Sequence, residues 1–113
     1  MAYVAVVETH EFTRRAKALI SDDEKTSLID YLATHPDAGV LLGGGVRKLR
    51  LARPGGGKSG GYRVIHYYRE ETGMPLFLIT IFAKSRQENL TTEQANTVVQ
   101  AAETMARTYR RTL

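Results

Sequence analysis

Apolar positions change their spacing along this chain, and each change predicts an element. Tyr3 to Val7 is a short run rich in valine that predicts a buried strand. Thr9 can then cap a helix that carries Phe12, Ala16 and Leu19 on one face. Ser21 followed three residues later by Glu24 is a capping box, which opens a second helix with Leu28, Ile29 and Leu32 inward and Pro36 beyond its end. After the glycines Gly43 to Gly45 the period falls to two, with Leu49 and Leu51 on one side of a strand from Val46 to Ala52 and Lys48 and Arg50 on the other.

Strands are also predicted from Tyr62 to Tyr68 and from Leu76 to Ala83, with a turn over Glu70 to Pro75 between them. The last of these, LFLITIFA, is apolar on both faces, which suits a central strand covered on both sides. Thr91 and Gln94 form another capping box, and Ala95, Val98, Val99, Ala102, Met105 and Tyr109 make the inward stripe of a closing helix. The expected order is strand, two helices, three strands, helix. This is an α+β chain of β-α-α-β-β-β-α order, with a mostly antiparallel sheet packed by helices.

At 113 residues the chain suits one domain, residues 1–113, with one modest core. The absence of cysteine removes disulfides and thiolate metal sites and suits a reducing cytoplasm. No secretory leader and no membrane-spanning run is evident, so a soluble intracellular protein without a membrane partner is expected. His10 and His35 are too isolated to suggest a metal site, and the alternation sends His66 toward the apolar side as a core or hydrogen-bonded residue.

Charge alters this picture. The formal net charge is +4, yet residues 38–69 hold seven basic residues and no acidic one, whereas residues 1–37 hold four basic and seven acidic. So long a stretch without a carboxylate points to a polyanionic partner.

Within it, ARPGGGKSGG (52–61) comes close to the P-loop pattern, but Ala52 stands where the first glycine is required. A P-loop also needs a helix behind it to present amides to the phosphates, and GYRVIHYY has strand composition. The segment reads instead as a strand connection in which Lys58 adds a positive charge.

The cations on either side carry more. If 46–52 and 62–68 are antiparallel neighbours, Lys48 and Arg50 share a surface with Arg63, whose alternation groups it with Ile65 and Tyr67 on the open face of the sheet. Lys84 ends the next strand and can point to the same patch. Arg47 alternates away from it, although strand twist and a long side chain can bring it back toward RNA.

The succession VRKLRLA, glycine-rich segment, SGGYRVIHYY and LFLITIFAKSRQENLT before a last helix resembles the RelE/ParE superfamily of bacterial type II toxins over nearly the whole chain. The glycine-rich stretch between a basic strand and a G-x-R-V-I strand is most similar to its HigB-like RelE branch. The resemblance implies a RelE-like single domain and an endoribonuclease that cuts messenger RNA in the ribosomal A site with basic residues and no metal or other cofactor.

It further implies a catalytic group of Lys48, Arg63 and Lys84, with Arg47, Arg50, Lys58 and Arg86 binding RNA. Lys48 is the candidate base, since neighbouring positive charge eases loss of a proton from an amine, and Arg63 can clamp a phosphate with its planar fork. The implied partners are the ribosome, messenger RNA and a helix-turn-helix antitoxin, through which the complex meets operator DNA. The family's stacking tyrosine before the last helix has no counterpart in QENLTT. A ParE-like gyrase poison and a non-catalytic RNA- or protein-binding module are the alternatives.

Overall fold

The computed structural model describes residues 3–52, 61–84 and 90–112. Strand β1 (Val6–Glu8) leads into helices α1 (His10–Leu19) and α2 (Asp22–Thr34); strands β2 (Val40–Gly43), β3 (Val46–Leu51), β4 (Tyr62–Tyr67) and β5 (Leu76–Ala83) follow, then helix α3 (Thr92–Arg110). The sheet order is β1-β5-β4-β3-β2, with β1 parallel to β5 and every other pair antiparallel. This is an α+β fold with helices on both faces.

The predicted caps form. Ser21 Oγ accepts from Glu24 N at 3.1 Å while Glu24 returns a carboxylate to Ser21 N at 2.8 Å. Thr91 and Gln94 repeat the arrangement at the start of α3, at 3.1 and 2.9 Å. Thr9 accepts from Phe12 N at 3.2 Å, and its hydroxyl donates to Ile79 O at 2.8 Å, so one side chain starts α1 and ties it to β5.

Two elements differ from expectation. A fifth strand, β2, precedes the glycines; it is a four-residue edge strand with Val40 and Leu41 62% and 58% exposed, and so short a run of unalternated apolar residues carries no period to detect. The glycines make the turn into β3: Gly44 has φ of +52°, and a Cβ there would lie 2.8 Å from a Val99 methyl. In addition, β1 begins at Val6 and not at Tyr3, because the amide of Val4 is spent on Ala33 O at the end of α2, at 2.9 Å.

The two faces of the sheet build two cores. Phe12, Ala16, Leu28 and Leu32 from α1 and α2 pack on Val64, Leu76, Leu78 and Ile81, whereas Ala102 and Ala106 of α3 pack on Val46, Ile65, Tyr67, Phe77 and Phe82. Strand β5 serves both cores by alternation and carries a bulge: Leu78 lies opposite His66 and Thr80 opposite Ile65, which leaves Ile79 without a register partner in β4. Phe12, Leu32, Leu76, Leu78 and Ile81 are fully buried, and burial of each such side chain contributes about 1.5–3 kcal/mol. Among the described residues no helix is long and apolar enough to cross a membrane.

Candidate nucleic-acid interface

Strand β3 sorts its residues by alternation. Leu49 and Leu51 pack against the core under α1 and α2, which turns Lys48 and Arg50 to the opposite face. The β3–β4 register then sets Arg50 directly opposite Arg63 and Lys48 opposite Ile65. Directly opposed side chains on one face stand about 4.5–5.5 Å apart at Cβ and diagonal ones about 7–8 Å, so Lys48, Arg50 and Arg63 are neighbours on this face.

Helix α3 packs over Val46, Ile65 and Tyr67 on this same face, and Arg50 and Arg63 stand toward the other end of the two strands. Lys84 follows β5, its amide donating to Gly61 O at 3.0 Å one rung beyond the Tyr62–Ala83 pair. Its alternation from Phe82, the β5 partner of Arg63, carries it to the cation side. Four cations from three consecutive strands thus share one face of the sheet.

Arg63 does not sit on an open face as expected; its exposure is 3%. It occupies the middle strand, flanked by Arg50 on one side and Phe82 on the other. Arg50 is exposed because it lies one strand further out, beyond Lys48, where the pairing with β2 has ended. The Arg63 guanidinium donates through Nη1 to Tyr62 O at 3.3 Å, and no carboxylate of a described residue pairs with Arg63 or Arg50. A buried cation without a counter-charge among the described residues is costly, and a bound anion offsets that cost.

Arg47 is not brought to this group. It lies opposite His66 on the α1 and α2 side, and its guanidinium donates to Tyr68 O at 3.4 Å. Lys58 and Arg86 lie outside the described residues.

His66 is a core histidine, as its alternation suggests: it is fully buried, with Nε2 2.8 Å from Ala38 O. Burial holds its pKa below the ordinary value of 6.5, and the nearby charge of Arg47 pushes the same way against the opposing effect of the Ala38 bond. Burial thus favours the neutral ring, in which Nε2 donates to Ala38 O and Nδ1 lacks a partner among the described residues.

Sequence reading gave no role to Phe82. By pattern it is one more apolar residue of a central strand, and only the β4–β5 register sets it beside Arg63.

A family model described as the RelE toxin of the RelE / RelB toxin-antitoxin system matches residues 4–113. That match spans every strand and helix and all four of these cations, and it implies an antitoxin as partner. The chain belongs to the RelE toxin family and is the toxin of a toxin-antitoxin system.

Proposed function

We propose that this toxin is an endoribonuclease that cuts messenger RNA in the ribosomal A site and so arrests translation. The observation that carries the reading is the β3–β4 register, which opposes Arg50 to Arg63 with Lys48 two residues away, in a segment of 32 residues (38–69) without a carboxylate. Like charges directly opposite one another cost stability in a sheet, and an incoming phosphate removes that cost.

In the reaction, Lys48 takes the proton of a 2′-hydroxyl aligned with its neighbouring phosphate. Arg63, assisted by Arg50 and Lys84, holds the equatorial oxygens as the 2′-oxygen bonds to phosphorus and the bond to the 5′-oxygen breaks, which leaves a 2′,3′-cyclic phosphate while solvent water protonates the departing 5′-oxygen. Basic side chains do here what a metal ion does in other nucleases. Lys58 and Arg86 extend the contact along the RNA backbone. The glycine-rich segment and the G-Y-R-V-I strand favour a HigB-like branch, with a helix-turn-helix antitoxin that carries the complex to operator DNA. Its place of action is the cytoplasm.

Purified protein added to programmed ribosomes tests this. Cleavage of the bound message, with the same RNA intact when ribosomes are left out, is the expected result. Intact messages together with loss of DNA supercoiling after induction would favour the gyrase alternative; RNA binding with neither effect would favour a binding module.

A further inference from the structure

Strand β2 closes one end of the sheet, so among the described residues it pairs with β3 on one side and with no strand on the other. Exposed edges are commonly guarded by a charged side chain or a proline, and Val40–Gly43 contains neither. Its bulge follows Leu41 and does not interrupt Val40 and Leu41, which are both exposed. Leu41, opposite Arg47, borders an open groove of about 820 Å³ that Asp37, Arg47 and Arg69 also line.

We infer that β2 pairs with β2 of a second copy of this chain, antiparallel about a two-fold axis at Leu41, and joins the two five-stranded sheets edge to edge. Directly opposed residues of an antiparallel pair share a face, which restricts the register. Centred on Leu41, the pairing sets Leu41 against Leu41, Val40 against Leu42, and Gly39 against Gly43. Val40 and Leu42 both belong to the α3 face, Val40 through its pairing with Lys48 and Leu42 through its packing on the core under α3. Apolar side chains therefore meet apolar ones throughout, whereas an axis at Val40 would set Leu41 against Gly39.

Charge favours a second copy as the occupant. Exposed Asp37 stands four residues before the axis, so it falls beside the Gly44–Gly45 turn of the other copy. Arg69 lies at that turn: its Nε donates to Gly44 O at 3.4 Å, and a Cβ on Gly45 would lie 3.0 Å from Arg69 Cγ. Glu71 at the same end is held by Arg110 at 2.6 and 2.9 Å, which leaves Arg47 and Arg69 to outweigh Glu70. The axis makes this contact twice. So short an edge buries little surface, and the dimer is weak and concentration-dependent. Arg50 and Arg63 are not part of the joined edge, so the inference stands apart from the nuclease reading.

Sedimentation of the full chain over a concentration series tests this, with thermal melts to check that each variant folds. The wild type should pass from monomer to dimer through the micromolar range. Leu41→Lys, which sets like charges directly opposite each other at the axis, should weaken dimerisation by at least about tenfold. Asp37→Lys and Arg69→Glu should each weaken it roughly fivefold, the scale of two surface ion pairs. An equal mixture of these two variants should associate as the wild type does, because both ion pairs are restored across copies. A wild type monomeric up to its solubility limit, or a folded Leu41→Lys protein that dimerises as well as the wild type, would overturn the inference. A monomeric wild type whose antitoxin binding is lost in Leu41→Lys would also overturn it and assign the edge to the antitoxin.

Discussion

Arg50 and Arg63 oppose each other in the β3–β4 ladder, the first exposed and the second 3% accessible, and no carboxylate of a described residue stands between them. Such a pair costs stability in the free protein and strengthens the hold on a polyanion. Arg50→Gln should therefore raise stability by about 0.2–1 kcal/mol at low salt, with the gain shrinking as salt screens the repulsion. The same variant should bind RNA more weakly, with a salt slope smaller by about one. Thermal melts and RNA titrations over one series of salt concentrations check both.

Arg63 requires a different substitution, because truncating a buried side chain also opens a cavity. Arg63→Met keeps most of the volume without the charge. Toxicity should fall through a loss of roughly 3 kcal/mol of transition-state stabilisation, the scale of one preorganised donor, while the fold is retained. Arg63→Lys should restore little, since an ammonium lacks the bidentate fork. Growth after induction, read beside a thermal melt, separates these effects; a fully toxic, folded Arg63→Met protein would remove Arg63 from the site.

His66 should make stability depend on pH. Its folded pKa lies below the 6.5 of the unfolded chain, so on acidification the unfolded state takes the proton first. The histidine's effect is absent well above 6.5, and stability then falls as pH drops from that value toward the folded pKa. His66→Gln keeps an amide donor for Ala38 O and removes the titration. Urea unfolding between about pH 8 and 5 should show a shallower pH dependence for this variant than for the wild type.

Much of this was readable from side chains that act locally. Ser21, Thr91 and Thr9 announce three helix starts because a cap needs only a hydroxyl and the right neighbour a few residues away. LFLITIFA shows its central position by being apolar throughout. The alternation in VRKLRLA also puts Lys48 and Arg50 on one face and Arg47 on the other. Burial of Arg63 was not readable, because it depends on what flanks a strand on both sides. The bulge at Ile79 and the adjacency of Phe82 to Arg63 are facts of register, and register depends on turns and partners outside the strand itself.

Thr9 joins distant parts of the chain, since its hydroxyl serves both the Phe12 amide and the Ile79 carbonyl at the bulge. Thr9→Val should destabilise the protein by about 2 kcal/mol, the sum of a lost cap and a lost hydrogen bond. Thr9→Ser should keep most of that stability. The midpoint of urea unfolding should move while its slope stays constant.

The parallel pairing of β1 with β5 also fixes when the molecule can assemble. Val6 to Glu8 are made before their partners Leu76 to Leu78, which follow some 70 residues later, and β5 lies between β1 and β4 in the sheet. Non-local pairing must wait for loop closure, so folds dominated by it form slowly. A nascent chain stopped before β5 therefore lacks one of the three strands that contribute to the cation cluster. The cation cluster therefore completes only after β5 has been made, and an antitoxin already present has that interval in which to meet the chain.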